Sequence, residues 1–205
     1  EVLRQTTTAH SFGLEMELLS PKEAQELWPI MNIEDVYGAA FLPTDGQANP
    51  TDITQALAKG ARNKGAKIIE ETKALKVIIE NGVIKGLETN KGIINCEKIV
   101  CCGGQWTRQF AETVGVNVPL VSFQHQYLVT EEIDGVKSDL PTLRDPDRLI
   151  YFKEEVGGLV MGGYEPNPLS WAEKSVPEDF HFSLLDSDYD HFELIMNNAL
   201  GRVPL

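Results

Sequence analysis

The chain has 205 residues, of which 42% are hydrophobic and 24% are charged, a composition typical of a globular protein. Its formal net charge of −13 argues against nucleic-acid binding, because an acidic surface repels phosphate backbones. No apolar run approaches the roughly 20 residues that span a bilayer, so we expect a soluble protein with neither a nucleic-acid nor a membrane partner.

The first third of the chain predicts mainly helices. Residues 2–14 have a weak helical pattern, weakened by three successive Thr. Ser20-Pro21-Lys22-Glu23 supplies an N-cap, a first-turn proline and a glutamate at the third position, which together predict a helix start. A strand is predicted over residues 36–43. Asn49 before Pro50 predicts the next helix, which Gly65 ends.

Short strands dominate the rest of the chain. The predicted strands lie at residues 66–69, 75–79, 83–88, 92–96, 98–102, 120–130, 149–153 and 159–163. Asn81-Gly82 is a strong hairpin signal. Residues 98–102 lead through Gly103 and Gly104 into a helix over 106–114, a geometry common where a cofactor binds. A last helix is predicted over residues 189–200.

This order of elements predicts an α/β (α+β) fold. A helix, a three-stranded meander and a glycine-bounded strand occupy the middle, and antiparallel-looking segments flank them. We therefore expect part of a Rossmann-like nucleotide-cofactor domain, interleaved with an antiparallel-sheet domain.

The three cysteines do not form a recognisable framework. Cys96, Cys101 and Cys102 have neither a disulfide-rich nor a zinc-binding spacing, so we predict no metal site and a reducing compartment. We expect the cytoplasm, or the mitochondrial matrix in a eukaryote. Because the chain begins without Met and ends soon after a helical pattern, we also expect a segment of a longer protein.

Five stretches, in order and at compatible spacing, carry a family resemblance. They are FLPTDGQANPTDITQALAKGARNKGA, KIVCCGGQWTRQFAETVGV, PLVSFQHQYLVTEEI, LPTLRDPDRLIYFKEEVGGLVMGGYE and the final VPL. Together they resemble the FAD-dependent amine oxidoreductases of the D-amino acid oxidase superfamily, with the closest similarity to dimethylglycine and sarcosine dehydrogenases and dimethylglycine oxidase. The resemblance covers residues 18–205.

The resemblance implies FAD as the cofactor. Gly103-Gly104-Gln105-Trp106 is similar to the family's A-G-x-W turn, so the implied flavin contacts are Gly103, Trp106 and the earlier backbone position Ala74. The family's G-x-G-x-x-G fingerprint and its flavin-linking histidine lie in a region absent from this sequence, as does the folate-binding half of many members. Residues 49–116 would belong to the FAD-binding domain, and residues 1–48 and 117–205 to the substrate-binding domain.

The resemblance also implies oxidative demethylation of an N-methylglycine-type amine, dimethylglycine or sarcosine, by hydride transfer to flavin. An electron-transfer flavoprotein or oxygen would accept the electrons, and the segment alone would be inactive. His125 and Tyr151 match the histidine and tyrosine near the flavin. A histidine can take the proton that the bound ammonium must lose, and a tyrosine hydroxyl can orient the amine.

Other interpretations of these residues remain open. From the residues alone, His125 is typical of a half-buried strand histidine and Trp106 of a helix anchor. Arg144 is typical of either a carboxylate ligand or a surface ion pair. Asp186, Asp188 and Asp190 imitate a calcium loop but lack its glycine, and favour a helix N-terminus instead. The protein as a whole could also be a non-catalytic relative resembling the pyruvate dehydrogenase phosphatase regulatory subunit, or another amine or amino-acid oxidase.

Overall fold

Helices and antiparallel strands make up the computed structural model, which describes residues 2–204. The helices are α1 (Val2–Ser11), α2 (Pro21–Leu27), α3 (Pro50–Asn63), α4 (Thr107–Glu112) and α5 (Tyr189–Arg202), and a 3₁₀ turn lies at Gly104–Trp106. The strands are β1 (Glu17–Leu19), β2 (Ala39–Phe41), β3 (Ala74–Glu80), β4 (Val83–Thr89), β5 (Gly92–Asn95), β6 (Ser122–Phe123), β7 (Tyr127–Val129), β8 (Leu143–Asp145), β9 (Ile150–Glu155), β10 (Gly158–Gly163) and β11 (Ser170–Trp171). The predicted mixture of helices with antiparallel sheets is confirmed.

The chain forms two units. The first unit comprises Glu1–Ala48, His125–Pro168 and Asp186–Leu205, and the second comprises Asn49–Gln124 and Leu169–Leu185. The second unit holds α3, the three-stranded sheet β3-β4-β5, α4, and the short pair β6 and β11. Residues 117–124 and 169–185 therefore lie in the same unit as residues 49–116.

Local sequence signals account for several elements. Ser20 and Glu23 form the predicted capping box of α2, in which the Ser20 amide donates to the Glu23 carboxylate at 2.7 Å. Asn49 caps α3 by accepting hydrogen bonds from the amides of Thr51 and Asp52. Asn81 and Gly82 both have positive φ, 51° and 77°, as a tight turn between β3 and β4 requires.

Three strand predictions are wrong. Residues 66–69 and 98–102 form no strand, because no other described segment pairs with them, and an apolar run without hydrogen-bonding neighbours does not become a strand. The side chain of Val100 is 83% exposed. The single strand predicted over residues 120–130 is two short strands, β6 and β7, and His125 lies between them.

The core of the first unit lies on one face of its four-stranded antiparallel sheet, whose strand order is β7-β10-β9-β8. Leu128, Met161, Phe152 and Leu143 stand next to one another across the four strands. They pack with Phe192 and Ile195 of α5 and with Trp28 and Met31. The indole of Trp28 donates to the carbonyl of Pro141 at 2.7 Å, which satisfies its one polar group inside the core.

No helix within residues 2–204 combines the length and apolar character needed to cross a bilayer.

Candidate active site

The opposite face of the same sheet carries a row of polar and aromatic residues. Tyr127 of β7 and Tyr151 of β9 both stand opposite Gly162 of β10, and Arg144 of β8 stands opposite Tyr151. Because neighbouring positions on a strand point to opposite faces, this row is directed away from the core. Tyr127 is 53% exposed.

The phenol of Tyr151 lies across the backbone of Gly162. A Cβ at position 162 would overlap the Tyr151 hydroxyl oxygen and the ring carbon that carries it. Only glycine therefore allows this ring to lie across β10. The orientation of Tyr151 is fixed by a backbone feature on the neighbouring strand.

Tyr164, directly after β10, connects the two residues that the resemblance singled out. Its ring centroid lies 5.8 Å from that of His125, in an edge-on arrangement, and 6.0 Å from that of Tyr151. Both distances fall within the range of favourable aromatic pairs. The structure thus places the rings of His125 and Tyr151 next to the same tyrosine ring, within the first unit.

Arg144 completes the cluster. Its guanidinium carbon lies 5.1 Å from the centroid of the Tyr164 ring, in cation–π geometry. Among residues 2–204, no carboxylate or carbonyl accepts a hydrogen bond from this guanidinium. The surface ion pair considered for Arg144 is therefore absent from the described residues, and the planar donor group remains available to an anion.

The surroundings of Tyr151 favour its neutral form. Partial burial, with smaller contributions from Tyr164, Tyr127 and Glu165, raises the pKa of the Tyr151 hydroxyl above its ordinary value of 10.0. Burial disfavours the phenolate because it removes water from the charge, and the negative charge of Glu165 disfavours it further, as would the phenolates of Tyr164 and Tyr127 once they ionise. Near neutral pH this hydroxyl is a hydrogen-bond donor.

Glu165 is the one buried carboxylate beside His125 within residues 2–204. The side chain is 4% exposed, and its Oε2 lies 3.3 Å from Nδ1 of His125, whose own side chain is 51% exposed. No motif in the sequence marks Glu165, Tyr164 or Tyr127 as site residues. The only available signal for Glu165 was its position at the end of the GGYE segment, because its burial depends on the fold.

The expected flavin contacts lie in the second unit. Ala74 is the first residue of β3, opposite Thr89, whereas Gly103 and Trp106 belong to one turn in which the Trp106 amide donates to the Gly103 carbonyl at 3.1 Å. Trp106 is 39% exposed. Gly104 has φ +53°, and the space where its Cβ would stand is open. An exposed turn without side chains at two successive positions fits a cofactor that packs against backbone.

Comparison with known proteins identifies relatives along the entire chain. The model of the family described as FAD dependent oxidoreductase matches residues 1–204. Human mitochondrial sarcosine dehydrogenase is 36% identical over 210 residues, which is 100% of this chain and 22% of that protein. The mitochondrial regulatory subunit of pyruvate dehydrogenase phosphatase from Mus musculus is 35% identical over 195 residues, 94% of this chain and 22% of that protein.

A solved structure supports the same relationship. The crystal structure of L-proline dehydrogenase from P. horikoshii superposes with a TM-score of 0.79 at 27% identity, covering 95% of this chain and 50% of that one. The chain thus spans half of this structure and, at 22% of each, between a fifth and a quarter of the two curated relatives. One of those relatives is named as an enzyme and the other as a regulatory subunit, so relatives of both kinds share this similarity.

Proposed function

Because the chain belongs to the FAD dependent oxidoreductase family, we propose that it forms part of a flavoenzyme that oxidatively demethylates an N-methyl amine bearing a carboxylate, such as sarcosine or dimethylglycine. The observation that carries this proposal is the convergence of His125, Tyr151 and Arg144 on the ring of Tyr164. These residues offer such a substrate a proton acceptor, a neutral hydroxyl donor and a guanidinium to which no group among residues 2–204 is paired.

Arg144 would bind the substrate carboxylate. A guanidinium presents two parallel N–H donors that match a carboxylate, and no other partner competes for them among residues 2–204. The Tyr164 ring beneath the guanidinium restricts its position through the cation–π contact. An amine that lacks a carboxylate would lose this anchor, so we expect an amino acid rather than a simple amine.

His125 would accept the proton of the substrate ammonium, and Tyr151 would orient the amine. The nitrogen lone pair must be free before the adjacent carbon can lose a hydride, so a nearby base is needed. The half-exposed imidazole of His125 can pass this proton on to solvent. The raised pKa of Tyr151 keeps its hydroxyl protonated, which lets it donate a hydrogen bond to the substrate.

The second unit would contribute to FAD binding through Ala74, Gly103 and Trp106. The open space at Gly104 and the exposed Trp106 indole support contact with a flat cofactor. When bound, FAD supplies the capacity to accept a hydride from the carbon next to the amine nitrogen. The electrons would then pass to an electron-transfer flavoprotein or to oxygen. The protein would be located in the cytoplasm, or in the mitochondrial matrix of a eukaryote.

Flavin reduction tests the proposal directly. The intact protein carrying this chain is loaded with FAD, made anaerobic and mixed with sarcosine or dimethylglycine, and the flavin absorbance is followed. We expect bleaching in the wild type and strongly slowed bleaching in His125→Gln and Tyr151→Phe. His181→Gln, which changes an exposed histidine of the second unit, is the matched control and should bleach as the wild type does.

Two results of the same experiment would refute the proposed demethylation. A yellow protein that dithionite reduces, but that no N-methyl amine reduces, would refute demethylation and favour a regulatory, non-catalytic role. Reduction by amino acids that lack an N-methyl group would instead assign the chain to another amino-acid oxidase.

A further inference from the structure

Glu165 is a buried carboxylate with an oxygen that accepts no hydrogen bond from the described residues. It follows Tyr164 after the end of β10, its side chain is 4% exposed, and no hydrogen bond reaches its Oε2 from any residue within 2–204. A buried carboxylate without a hydrogen-bond partner is energetically costly. Such a cost is tolerated where the group serves a second purpose, so Glu165 calls for a functional explanation.

The nearest ionisable nitrogen to Oε2 is Nδ1 of His125, at 3.3 Å. The contact has the separation of an ion pair without the alignment of a hydrogen bond. Because the His125 side chain is half-exposed, a small rotation of its ring would direct an Nδ1–H onto Oε2. Hydrogen bonds of catalytic groups are often long in the absence of substrate and tighten when it binds.

We propose that Glu165 is a positioning residue for His125. Its carboxylate accepts a hydrogen bond from Nδ1–H and thereby keeps Nε2 unprotonated, so that Nε2 is the atom that takes the substrate's proton. The hydrogen bond at one imidazole nitrogen determines which tautomer is present. This inference rests on the proposed function, which makes His125 the proton acceptor.

The proton balance of this step is simple. The substrate ammonium loses one proton, Nε2 gains it, and the Nδ1 proton stays on the ring as a donor to Glu165. The resulting imidazolium faces the buried carboxylate, which stabilises its charge. The proton then leaves Nε2 for solvent, and no proton is transferred to Glu165 in this step.

The other groups that face this pair do not replace Glu165. Tyr164 and Tyr151 present aromatic rings and neutral hydroxyls, as does Tyr127 on β7, and Arg144 is cationic and lies over Tyr164. Glu165 also contributes to the raised pKa of Tyr151, so this carboxylate acts on Tyr151 and lies 3.3 Å from Nδ1 of His125. It is the only anionic group among these neighbours within the described residues.

The imidazole tautomer tests this role independently of turnover. The intact FAD-loaded protein is labelled with nitrogen-15 histidine, and the His125 signals are assigned by comparison with His125→Gln. We expect Nδ1 to be protonated and Nε2 bare in the neutral ring of the wild type. In Glu165→Leu, which removes the acceptor and keeps an apolar side chain of similar size, the Nδ1–H tautomer should lose its preference.

Kinetics supply the second measurement. We expect Glu165→Leu to lower kcat roughly 10- to 100-fold, the range seen for residues that orient metal-binding histidines through their second ring nitrogen, with KM nearly unchanged. Glu165→Gln keeps an acceptor oxygen but loses the charge, so its kcat should lie between that of the wild type and that of Glu165→Leu. In a His125→Gln background, Glu165→Leu should cause no further loss, because the two residues act as one unit.

The other possible results of these measurements also test the positioning role of Glu165. An unchanged tautomer in folded Glu165→Leu, or a full additional loss in the His125→Gln background, would overturn the proposal. If Glu165→Leu does not fold, wild-type kcat in Glu165→Gln overturns it. If no N-methyl amine reduces the wild-type flavin, the proposed function fails, but the tautomer of His125 still tests Glu165. A proton on Nδ1 supports the positioning role of Glu165, and a proton on Nε2 refutes it.

Discussion

The ring of Tyr151 occupies the space in which a Cβ of Gly162 would stand. The two residues are directly opposite each other on β9 and β10, and the hydroxyl of Tyr151 lies above the glycine backbone. The position of a candidate catalytic group therefore depends on the absence of a side chain on the adjacent strand.

Gly162→Ala should displace the Tyr151 ring without removing it. Overpacking of this kind costs about 1–3 kcal/mol of stability, and a misplacement of about 1 Å at an active site can cost about 100-fold in rate. We expect anaerobic flavin reduction by sarcosine to slow toward the rate of Tyr151→Phe. Gly60→Ala is the control, since its Cβ on α3 meets no atom within 4 Å. Wild-type reduction by Gly162→Ala would contradict the proposed role of Tyr151.

Arg144→Lys should weaken substrate binding while keeping the positive charge. Lysine cannot reproduce the two parallel donors of the guanidinium, and a hydrogen bond to a charged group contributes about 1.5–3 kcal/mol. We expect KM for dimethylglycine to rise roughly 10- to 100-fold, in line with that range. For an N-methyl amine without a carboxylate, KM should be the same in both proteins. Arg62→Lys, at an exposed pair with Glu70, is the control.

Signals that act between close neighbours in sequence were predictable. The capping box of α2, the Asn49 cap of α3 and the Asn81-Gly82 hairpin each depend on residues within a few positions of one another. These contacts form in the same way whatever the rest of the chain does. The strand predictions at residues 66–69 and 98–102 failed because a strand depends on hydrogen bonds to a partner, and that partner is often distant in sequence.

The candidate site depends on distant pairing as well. Strand β10 lies between β7 and β9 in the sheet order β7-β10-β9-β8. That order places both Tyr127 and Tyr151 opposite Gly162, and it cannot be read from the sequence. The sequence resemblance supplied His125 and Tyr151. It gave no reason to place Arg144 beside them, and the burial of Glu165 is visible only in the folded chain.

The hydroxyl of Tyr151 should ionise at higher pH than an ordinary tyrosine. Burial, the largest cause, and the nearby Tyr164, Tyr127 and Glu165 raise its pKa above 10.0. A group whose pKa is higher in the folded state stabilises the fold below its unfolded value, and this contribution is lost as the pH rises through the folded value. The phenolate absorbance of the wild type, minus that of Tyr151→Phe, should therefore rise with a midpoint above pH 10.0. A difference spectrum with its midpoint below that value would contradict the surroundings described for Tyr151.

Asp35 should stabilise the first unit in a pH-dependent manner. The hydrogen bond from Arg148 is the largest cause that lowers the pKa of this carboxyl below 3.8, and Arg202 lowers it further. A lowered pKa gives stability that is present above the unfolded value and lost as the pH falls through the folded one. We expect Asp35→Asn to unfold at lower urea concentration than the wild type at pH 7, and the difference to shrink steadily below pH 3.8. A difference that is independent of pH would show that Asp35 acts through packing alone.

Arg202 at the end of α5 should be the most sensitive charged residue of the first unit. It is 5% exposed, and it donates to Asp145 at 2.9 Å, to Asp35 at 2.8 Å and to the carbonyl of Asn32. Removing one member of a buried ion pair costs about 3–5 kcal/mol, because the remaining charge is left without compensation. Arg202→Ala should therefore lower the free energy of unfolding by about that amount in urea titrations followed by circular dichroism. Arg148→Ala, whose side chain is 29% exposed beside the same Asp35, should cost about 1 kcal/mol or less. Equal losses in the two variants would mean that the burial of Arg202 adds nothing to its ion pairs.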